Sequence, residues 1–453
     1  MERLTRPTRT QRPTHMPKPV STPRSAGVFL ACALLLSGCD RMDRQRELEG
    51  SPYARQVRGA IPNVEKATGM TFKRPPAVAM RSRRDVRAFV QAQFEEATPA
   101  REFAAREVLY KRLGAVPEKM DLRAVVLDLL EEQIVGYYDP EKDTLYVVEG
   151  ADEQATGIVI THELVHALQD QYVDLDSVMK LRGDDDRLTA AQSVIEGQAT
   201  YDGIVAMAPG LINGTTNWDN AREEIRRGRN ASPKMAAAPL LLQELLIFPY
   251  LSGAEFVRRY RERRPGRNVL LDWPQSTEQV LHADRFFVER PDAPRAVRFT
   301  GLRAEAVYDN TLGEFETRVI LYEQLREQQI AVRAALGWGG DRVALLGEGA
   351  DAPLAWATVW DESVDAAEFF DAATRAMALR YETAAPTEAG ATTRAFTARG
   401  RTVTVTVGEA GGRPAVLVVD APSGSAVAVT LANVTLAGEG APTTAQGRGD
   451  VRR

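Results

Sequence analysis

Three residues in the stretch 161–170 have the types and the spacing of a zinc site. His162 and His166 stand four residues apart on a predicted helix, and Glu163 lies between them. Side chains at positions i and i+4 share one face of an α-helix, so both imidazoles can reach one metal ion. Glu163 points near the same spot but is too far round the helix to be a ligand. The motif therefore predicts two zinc ligands and a general base that takes a proton from water.

The same pattern also occurs by chance on ordinary surface helices, so its surroundings matter. The run just before it, "GIVI" at 157–160, is apolar and indicates that the helix enters a core. Buried histidines beside a buried glutamate need compensating partners. The chain has four histidines. His15 lies in the N-terminal segment, and the other three, which are His162, His166 and His282, could all belong to one site.

A third ligand must come from a different element. Catalytic zinc usually has three protein ligands and one open position. The motif does not continue with a third histidine, because residues 169 and 172 are Gln and Tyr. Glu196 lies thirty residues after His166 on the next predicted helix, and the small Gly197 would let two helices approach closely. Glu196 is either a solvated surface glutamate or the third ligand, and we predict the ligand.

A proton donor near the metal is a further requirement of acyl transfer, because negative charge develops on the former carbonyl oxygen. His282 is the candidate for this role, and the alternative is a helix-capping or core histidine. Tyr138 and Tyr201 are competing donors.

Zinc-bound imidazoles are normally oriented by a second polar group. Asp170, four residues after His166, is predicted to provide it, and Asp202 is the weaker candidate. The hairpin predicted at 134–148 could hold an extended substrate by strand addition, or it could be structural only.

The elements that must position these residues are mostly helices. Apolar residues recur at helical spacing in 82–97, 121–133 and 183–207. The motif helix is expected to begin near Gly157. Residues 236–264 are predicted to form two helices, separated by a break at Pro249. Residues 209–235 look like a mobile excursion. After residue 300 the predicted strands and helices are mixed. Polar and apolar residues alternate within 401–422, which predicts a hairpin.

The N-terminus has the composition of a signal peptide. Residues 1–24 carry six Lys or Arg and one acid, and an apolar run from Ala26 ends in "LLSGC". This ending resembles a bacterial lipobox, in which Cys39 would be lipidated; a plain signal peptide or a short membrane anchor is the alternative. The only other cysteine is Cys32, so the mature protein is expected to lack a disulfide.

Composition is that of a globular protein, with 44% hydrophobic and 26% charged residues. The net charge of −5 argues against a nucleic-acid partner. We divide the chain into a signal peptide (1–38), a tether (39–55), a catalytic domain (56–300), an accessory α+β region (301–435) and a disordered tail (436–453).

Several blocks of the sequence carry a family resemblance. "HELVHALQD" followed by "EGQAT" is similar to the gluzincin branch of zinc metallopeptidases. Together with "YYDPEKDTLYV", "FPYLSGAEFV", "STEQVLH", "LGEFETRVIL", "GWGGDRV" and "WATVWDE", it resembles a bacterial family of secreted or lipidated zinc peptidases over roughly residues 65–420. The resemblance implies an α+β fold with a zincin-like domain, Zn²⁺ as cofactor and hydrolysis of peptide bonds.

The leading hypothesis is therefore an extracytoplasmic zinc metallopeptidase, anchored by lipid to a bacterial membrane and acting on a peptide or protein. The first alternative is a non-catalytic lipoprotein of the cell envelope that binds zinc or peptides. The second is zinc-dependent hydrolysis of a non-peptide amide.

Overall fold

The computed structural model describes residues 52–437, apart from 98, 151–152, 209–231, 303, 305, 348, 387–390 and 427. The predicted signal peptide, the lipidation site Cys39, most of the tether and almost all of the tail lie outside the described residues. Most of the excursion predicted at 209–235 does so too.

The first half of the chain is a set of helices around a small sheet. Its elements are α1 (Pro52–Thr68), β1 (Ala77–Arg81), α2 (Arg83–Ala97), α3 (Ala100–Arg112), α4 (Leu122–Gln133), β2 (Gly136–Asp139), β3 (Thr144–Val148), α5 (Glu153–Asp170), α6 (Leu175–Met179), α7 (Asp185–Met207), α8 (Pro233–Ala237), α9 (Leu240–Arg263), a 3₁₀ turn (Val269–Leu271), α10 (Thr277–Leu281) and α11 (Ala283–Phe286). The strand order is β1–β3–β2, with β1 parallel and β2 antiparallel to β3. The β2–β3 pair confirms the hairpin predicted at 134–148.

The second half is built on a larger sheet. Its elements are β4 (Val297–Phe299), β5 (Ala306–Asn310), α12 (Gly313–Leu325), α13 (Gln328–Arg333), β6 (Trp338–Leu346), β7 (Leu354–Trp360), α14 (Ser363–Arg380), β8 (Thr393–Ala398), β9 (Arg401–Ala410), β10 (Arg413–Pro422), a 3₁₀ turn (Leu431–Asn433) and β11 (Val434–Leu436). The antiparallel sheet has the order β5–β6–β7–β10–β9–β8, and β4 pairs with β11. The pair β9–β10 confirms the predicted hairpin at 401–422. The fold class is α+β, as predicted.

Two helix boundaries differ from the sequence prediction. The motif helix α5 begins at Glu153, four residues before Gly157. The predicted break at Pro249 is wrong, because α9 continues through it as one helix. A proline inside a helix removes one backbone hydrogen bond. Here Pro249 and the nearby Phe248 and Leu251 are buried, so tertiary packing maintains the helix where local preference would end it.

Helix α9 is long and apolar enough, by length and composition, to cross a membrane. However, 56% of its most apolar window is buried inside the protein. Its packing against α7 therefore accounts for the apolar character, as expected for a core helix.

The crossing of α7 and α9 is unusually close because glycines lie on both sides of it. A Cβ atom added to Gly197 would lie 2.2 Å from the carbonyl carbon of Gly253, and one added to Gly253 would lie 2.1 Å from the oxygen of Ser193. Real Cβ atoms do not approach backbone so closely, so larger residues would force the helices apart. The crossing sets the position of Glu196, which directly precedes Gly197.

One hydrophobic core runs through both halves of the chain. It includes Leu164 and Leu168 of α5, Phe248 of α9 and Phe315 of α12. The rings of Phe248 and Phe315 stack with centroids 3.9 Å apart. The tryptophans of the second half are buried core residues, as predicted: Trp338, Trp356 and Trp360. The accessory region thus packs into the same core as the helices that carry the predicted site.

Candidate metal centre

Three predicted ligands from two helices meet at one point. The Nε2 atoms of His162 and His166, both on α5, lie 3.0 Å apart. Oε2 of Glu196, on α7, lies 3.1 Å from Nε2 of His162 and 3.4 Å from Nε2 of His166. All three side chains are buried. Two imidazole nitrogens and one carboxylate oxygen therefore share a small buried space, a donor set that could hold a metal ion.

The spacing of these donor atoms fits tetrahedral zinc. Zinc binds imidazole nitrogen and carboxylate oxygen at about 2.0–2.2 Å, which places neighbouring ligand atoms of a tetrahedron about 3.3 Å apart. The observed separations of 3.0, 3.1 and 3.4 Å lie around this value. If a zinc ion were bound here, three protein ligands would leave the fourth position for water or substrate, as in catalytic rather than structural zinc sites.

Glu163 lies beside this group and is fully buried. Its Oε2 accepts a hydrogen bond from the backbone N–H of Tyr138 in β2, at 2.9 Å. The charge of Glu163 also contributes to raising the pKa of His166, which shows that the carboxylate is close to the two histidines. Strand β2 thus holds a second carboxylate at the site, in the place that the motif assigns to a general base.

The electrostatics of the group are those of a coupled buried cluster. Burial lowers the pKa of His162. Burial acts in the same direction on His166, but Glu196 and Glu163 outweigh it and raise its pKa to about 9. Burial alone would raise the pKa of Glu196, yet the two histidines outweigh it and lower that pKa to about 2. The metal-free site therefore holds a carboxylate that is paired with an imidazolium.

Gln169 orients His166, a role that the sequence suggested for Asp170. Oε1 of Gln169 lies 2.8 Å from Nδ1 of His166. The amide Nε2 of Gln169 donates to the carbonyl of Ile195, at 2.9 Å, and to Oε1 of Gln198, at 3.0 Å. Because the amide nitrogen of Gln169 donates to α7, its oxygen is the atom that faces His166. The Nδ1–H of His166 therefore donates to this oxygen, and Nε2 of His166 faces the metal position.

The sequence-predicted partner Asp170 lies elsewhere. Its Oδ2 is 3.2 Å from the hydroxyl of Tyr138, which is also 3.0 Å from Oδ1 of Asp143. Burial raises the pKa of Asp170 to about 6. Asp170 therefore ties the end of α5 to the β2–β3 hairpin and makes no hydrogen bond to His166 among the described residues.

We expect Gln169→Ala to weaken zinc binding by about 10–100-fold, the usual effect of removing a group that orients a zinc-bound histidine. Asp170→Asn is the matched comparison and should change zinc affinity only a few-fold. Competition with a chromogenic chelator measures both. A larger loss in Asp170→Asn than in Gln169→Ala would contradict this assignment.

The other sequence candidates occupy different surroundings. The hydroxyl of Tyr138 is engaged by Asp143 and Asp170, as described above. Asp202 is buried and pairs with Arg261 at 2.7 Å; burial raises its pKa to about 6. Tyr201 is half-buried, and burial raises its pKa. None of the three residues is in the group of donor atoms around the metal position.

His282 lies at the junction between α10 and α11 and is partnered by α12. Its Nε2 is 3.0 Å from Oε1 of Glu314 and 3.0 Å from Nη2 of Arg318. Arg318 also pairs with Glu314. The structure does not place His282 among the converging donor atoms, and its role as a proton donor in catalysis stays a prediction.

Two residues at the site were missed from the sequence. Gln169 is three residues after His166, and i+3 spacing was an available signal because it shares the helix face as i+4 does. Tyr250 of α9 stacks on His162, with ring centroids 5.9 Å apart and planes inclined by 22°. Nothing in the local sequence connects it to α5, because the contact depends on the crossing of α7 and α9.

Comparisons with known proteins add little to this picture. Residues 300–430 match a family described as a domain of unknown function, DUF8575, a segment that overlaps most of the accessory region. No curated protein matches the chain.

One solved structure shows a distant likeness. It is a crystal structure from Chloroflexus aurantiacus described as "a putative hydrolase with a novel fold", with 16% identity and a TM-score of 0.36 over 54% of this chain and 91% of that one. A likeness of this size does not establish a common fold, so function is argued from the site itself.

Proposed function

We propose that the protein is a zinc-dependent hydrolase of peptide bonds. His162, His166 and Glu196 would hold the metal, and Glu163 would be the general base. The observation that supports this most directly is the convergence of three buried donor atoms within 3.4 Å of one another, on two helices. A purely structural zinc site would have no use for the additional buried carboxylate of Glu163 and is normally closed by four protein ligands.

Zinc bound at this site would polarise the substrate carbonyl and make water a better nucleophile near neutral pH. The carboxylate of Glu163, held in orientation by Tyr138 N–H, takes a proton from that water as its oxygen attacks the carbonyl carbon. Glu163 then passes the proton to the leaving amine nitrogen as the C–N bond breaks. Gln169 keeps His166 in the tautomer whose Nε2 faces the metal position.

The proposal is tested by combining metal analysis with a cleavage screen. The purified mature protein should contain one zinc per chain, and a proteome-derived peptide library should acquire new termini that disappear on chelation and return with added zinc. A zinc-loaded protein that produces no new termini would favour the non-catalytic envelope lipoprotein. Cleavage of cell-wall amides without cleavage of peptides would favour the amidase alternative.

Zinc affinity should depend on pH in a defined direction. His166 has a raised pKa of about 9 in the metal-free site, so it carries a proton throughout the range from pH 6 to 8. Zinc must displace that proton, and the competition weakens as the pH rises. We expect the apparent association constant to increase about tenfold per pH unit in this range. Chelator competition at fixed ionic strength measures it, and an affinity independent of pH would contradict the ion pair of His166 with Glu196.

The tether is proposed on the sequence alone. Cys39 and the residues around it lie outside the described part of the chain, so lipidation and an extracytoplasmic location stay predictions.

A further inference from the structure

A second group of carboxylates lies where the two halves of the chain meet. Glu278 is on α10, Asp292 follows α11, and Asp361 directly follows β7. One oxygen from each lies within 4.8 Å of the others. The three residues come from separate parts of the chain, so the fold, rather than a local acidic run, brings them together.

Glu278 is the unusual member of the group. Its side chain is 2% exposed, and its Oε1 has no hydrogen-bond partner among the described residues. A buried carboxylate oxygen without a partner carries a substantial free-energy cost. Glu278 combines such an oxygen with a place among two further carboxylates, which indicates that a ligand completes the arrangement.

The charges around Glu278 do not balance within the protein. Arg285 is the cation of the group, and its Nη1 contacts Oδ2 of both Asp292 and Asp361. Fully ionised, the three carboxylates would carry two more negative charges than the one guanidinium neutralises. Burial, followed by the charge of Glu314, raises the pKa of Glu278 to about 9, and a bound divalent cation would supply the charge that lets Glu278 ionise. The neighbouring Glu314 has its own partner in Arg318 and does not change this count.

We propose that Glu278, Asp292 and Asp361 bind a hard divalent cation, Ca²⁺, at the junction of the two halves. The donors are all oxygens, which calcium prefers and which argue against zinc at this second position. Arg285 contacts Oδ2 of each aspartate, so Oδ1 of each would be the oxygen that binds the ion. The side chains of Asp292 and Asp361 are 34% and 28% exposed, which gives access to the water molecules that complete the six to eight ligands of calcium.

The position of the site suggests what the ion does. Asp361 belongs to the second half and adjoins β7 of the large sheet, whereas Glu278 and Asp292 belong to the first half. The backbone is also joined here, since Arg295 N–H donates to Gly339 carbonyl at 2.7 Å. A bound cation would link the large antiparallel sheet, through Asp361, to the segment between α10 and β4. The site is distinct from the zinc ligands, so it does not depend on the proposed peptidase activity.

The test uses the zinc-loaded protein in calcium-free buffer. Equilibrium dialysis with ⁴⁵Ca²⁺ should show one calcium per chain, with a Kd of about 10⁻⁴–10⁻³ M, as for extracellular calcium modules. Calorimetry should show a Tm about 3–5 °C higher at a hundredfold excess of calcium over Kd. Glu278→Gln, which keeps the size of the side chain but removes its charge, should bind calcium at least tenfold more weakly. Asp361→Asn is the second variant.

Glu289→Gln is the matched control, because Glu289 is exposed and lies close in sequence to Arg285 and Asp292; it should bind calcium as wild type does. The proposal is overturned if the wild-type protein shows no saturable calcium binding, an outcome that needs no variant to fold. It is also overturned if Glu278→Gln and Asp361→Asn are folded and retain the wild-type Kd. Either result would mean that Glu278 is accommodated as a neutral acid.

Discussion

Glu163→Gln is expected to lower kcat by about 10²–10⁴-fold, the contribution of a positioned general base, while leaving one zinc per chain. The substituted amide has the size of the carboxylate, and its oxygen can still accept from Tyr138 N–H, so the local structure should persist. It cannot take a proton from water, however. Kinetics on a substrate found in the cleavage screen, together with zinc analysis, measure the two effects separately.

Glu141→Gln provides the control for this experiment. Glu141 lies exposed in the turn between β2 and β3, so loss of its charge near the same hairpin should leave kcat unchanged. If the Glu163→Gln protein cleaved substrate at the wild-type rate, Glu163 could not be the general base. Loss of zinc in that variant would instead point to a role for Glu163 in binding the metal.

Glu196→Ala should reduce zinc affinity by more than about 100-fold, because a removed ligand should cost more than the 10–100-fold loss seen for groups that only orient ligands. Activity should fall with zinc occupancy. The variant also leaves His162 and His166 without the carboxylate that raises the pKa of His166. The dependence of any residual zinc binding on pH should therefore become shallower, a change that a general loss of stability would not produce.

Glu262→Ala is a suitable comparison, since Glu262 lies exposed near the end of α9 and should retain full zinc affinity. Wild-type affinity in Glu196→Ala would remove Glu196 from the ligand set. A calorimetric scan of the metal-free proteins shows whether any loss of zinc binding reflects unfolding rather than the missing ligand.

The difference between Gln169 and Asp170 shows where sequence periodicity reaches its limit. Both residues follow His166 at spacings that share its helix face, so the pattern alone cannot choose between them. The choice is made by the neighbours of α5. The amide nitrogen of Gln169 donates a hydrogen bond to a backbone carbonyl of helix α7, whereas Asp170 accepts one from Tyr138 of the β2–β3 hairpin.

Pro249 makes the same point for secondary structure. Its local effect favours a helix break, and the sequence predicts one. The structure has a single helix, because the free energy of packing α9 against α7 outweighs the loss of one hydrogen bond.

The sequence by itself determined the pairing of His162 with His166 and the place of Glu163, since these depend only on the geometry of one helix. It also identified Glu196 from its type and its small neighbour. Only the tertiary structure decided that Glu196 closes on the two histidines, because that distance depends on the glycine crossing of α7 and α9. Tertiary packing also places His282 within hydrogen-bond distance of Glu314 and Arg318. It likewise brings the carboxylates of Glu278, Asp292 and Asp361 together. Contacts between distant segments are set by the packing of the whole core, which no local pattern contains.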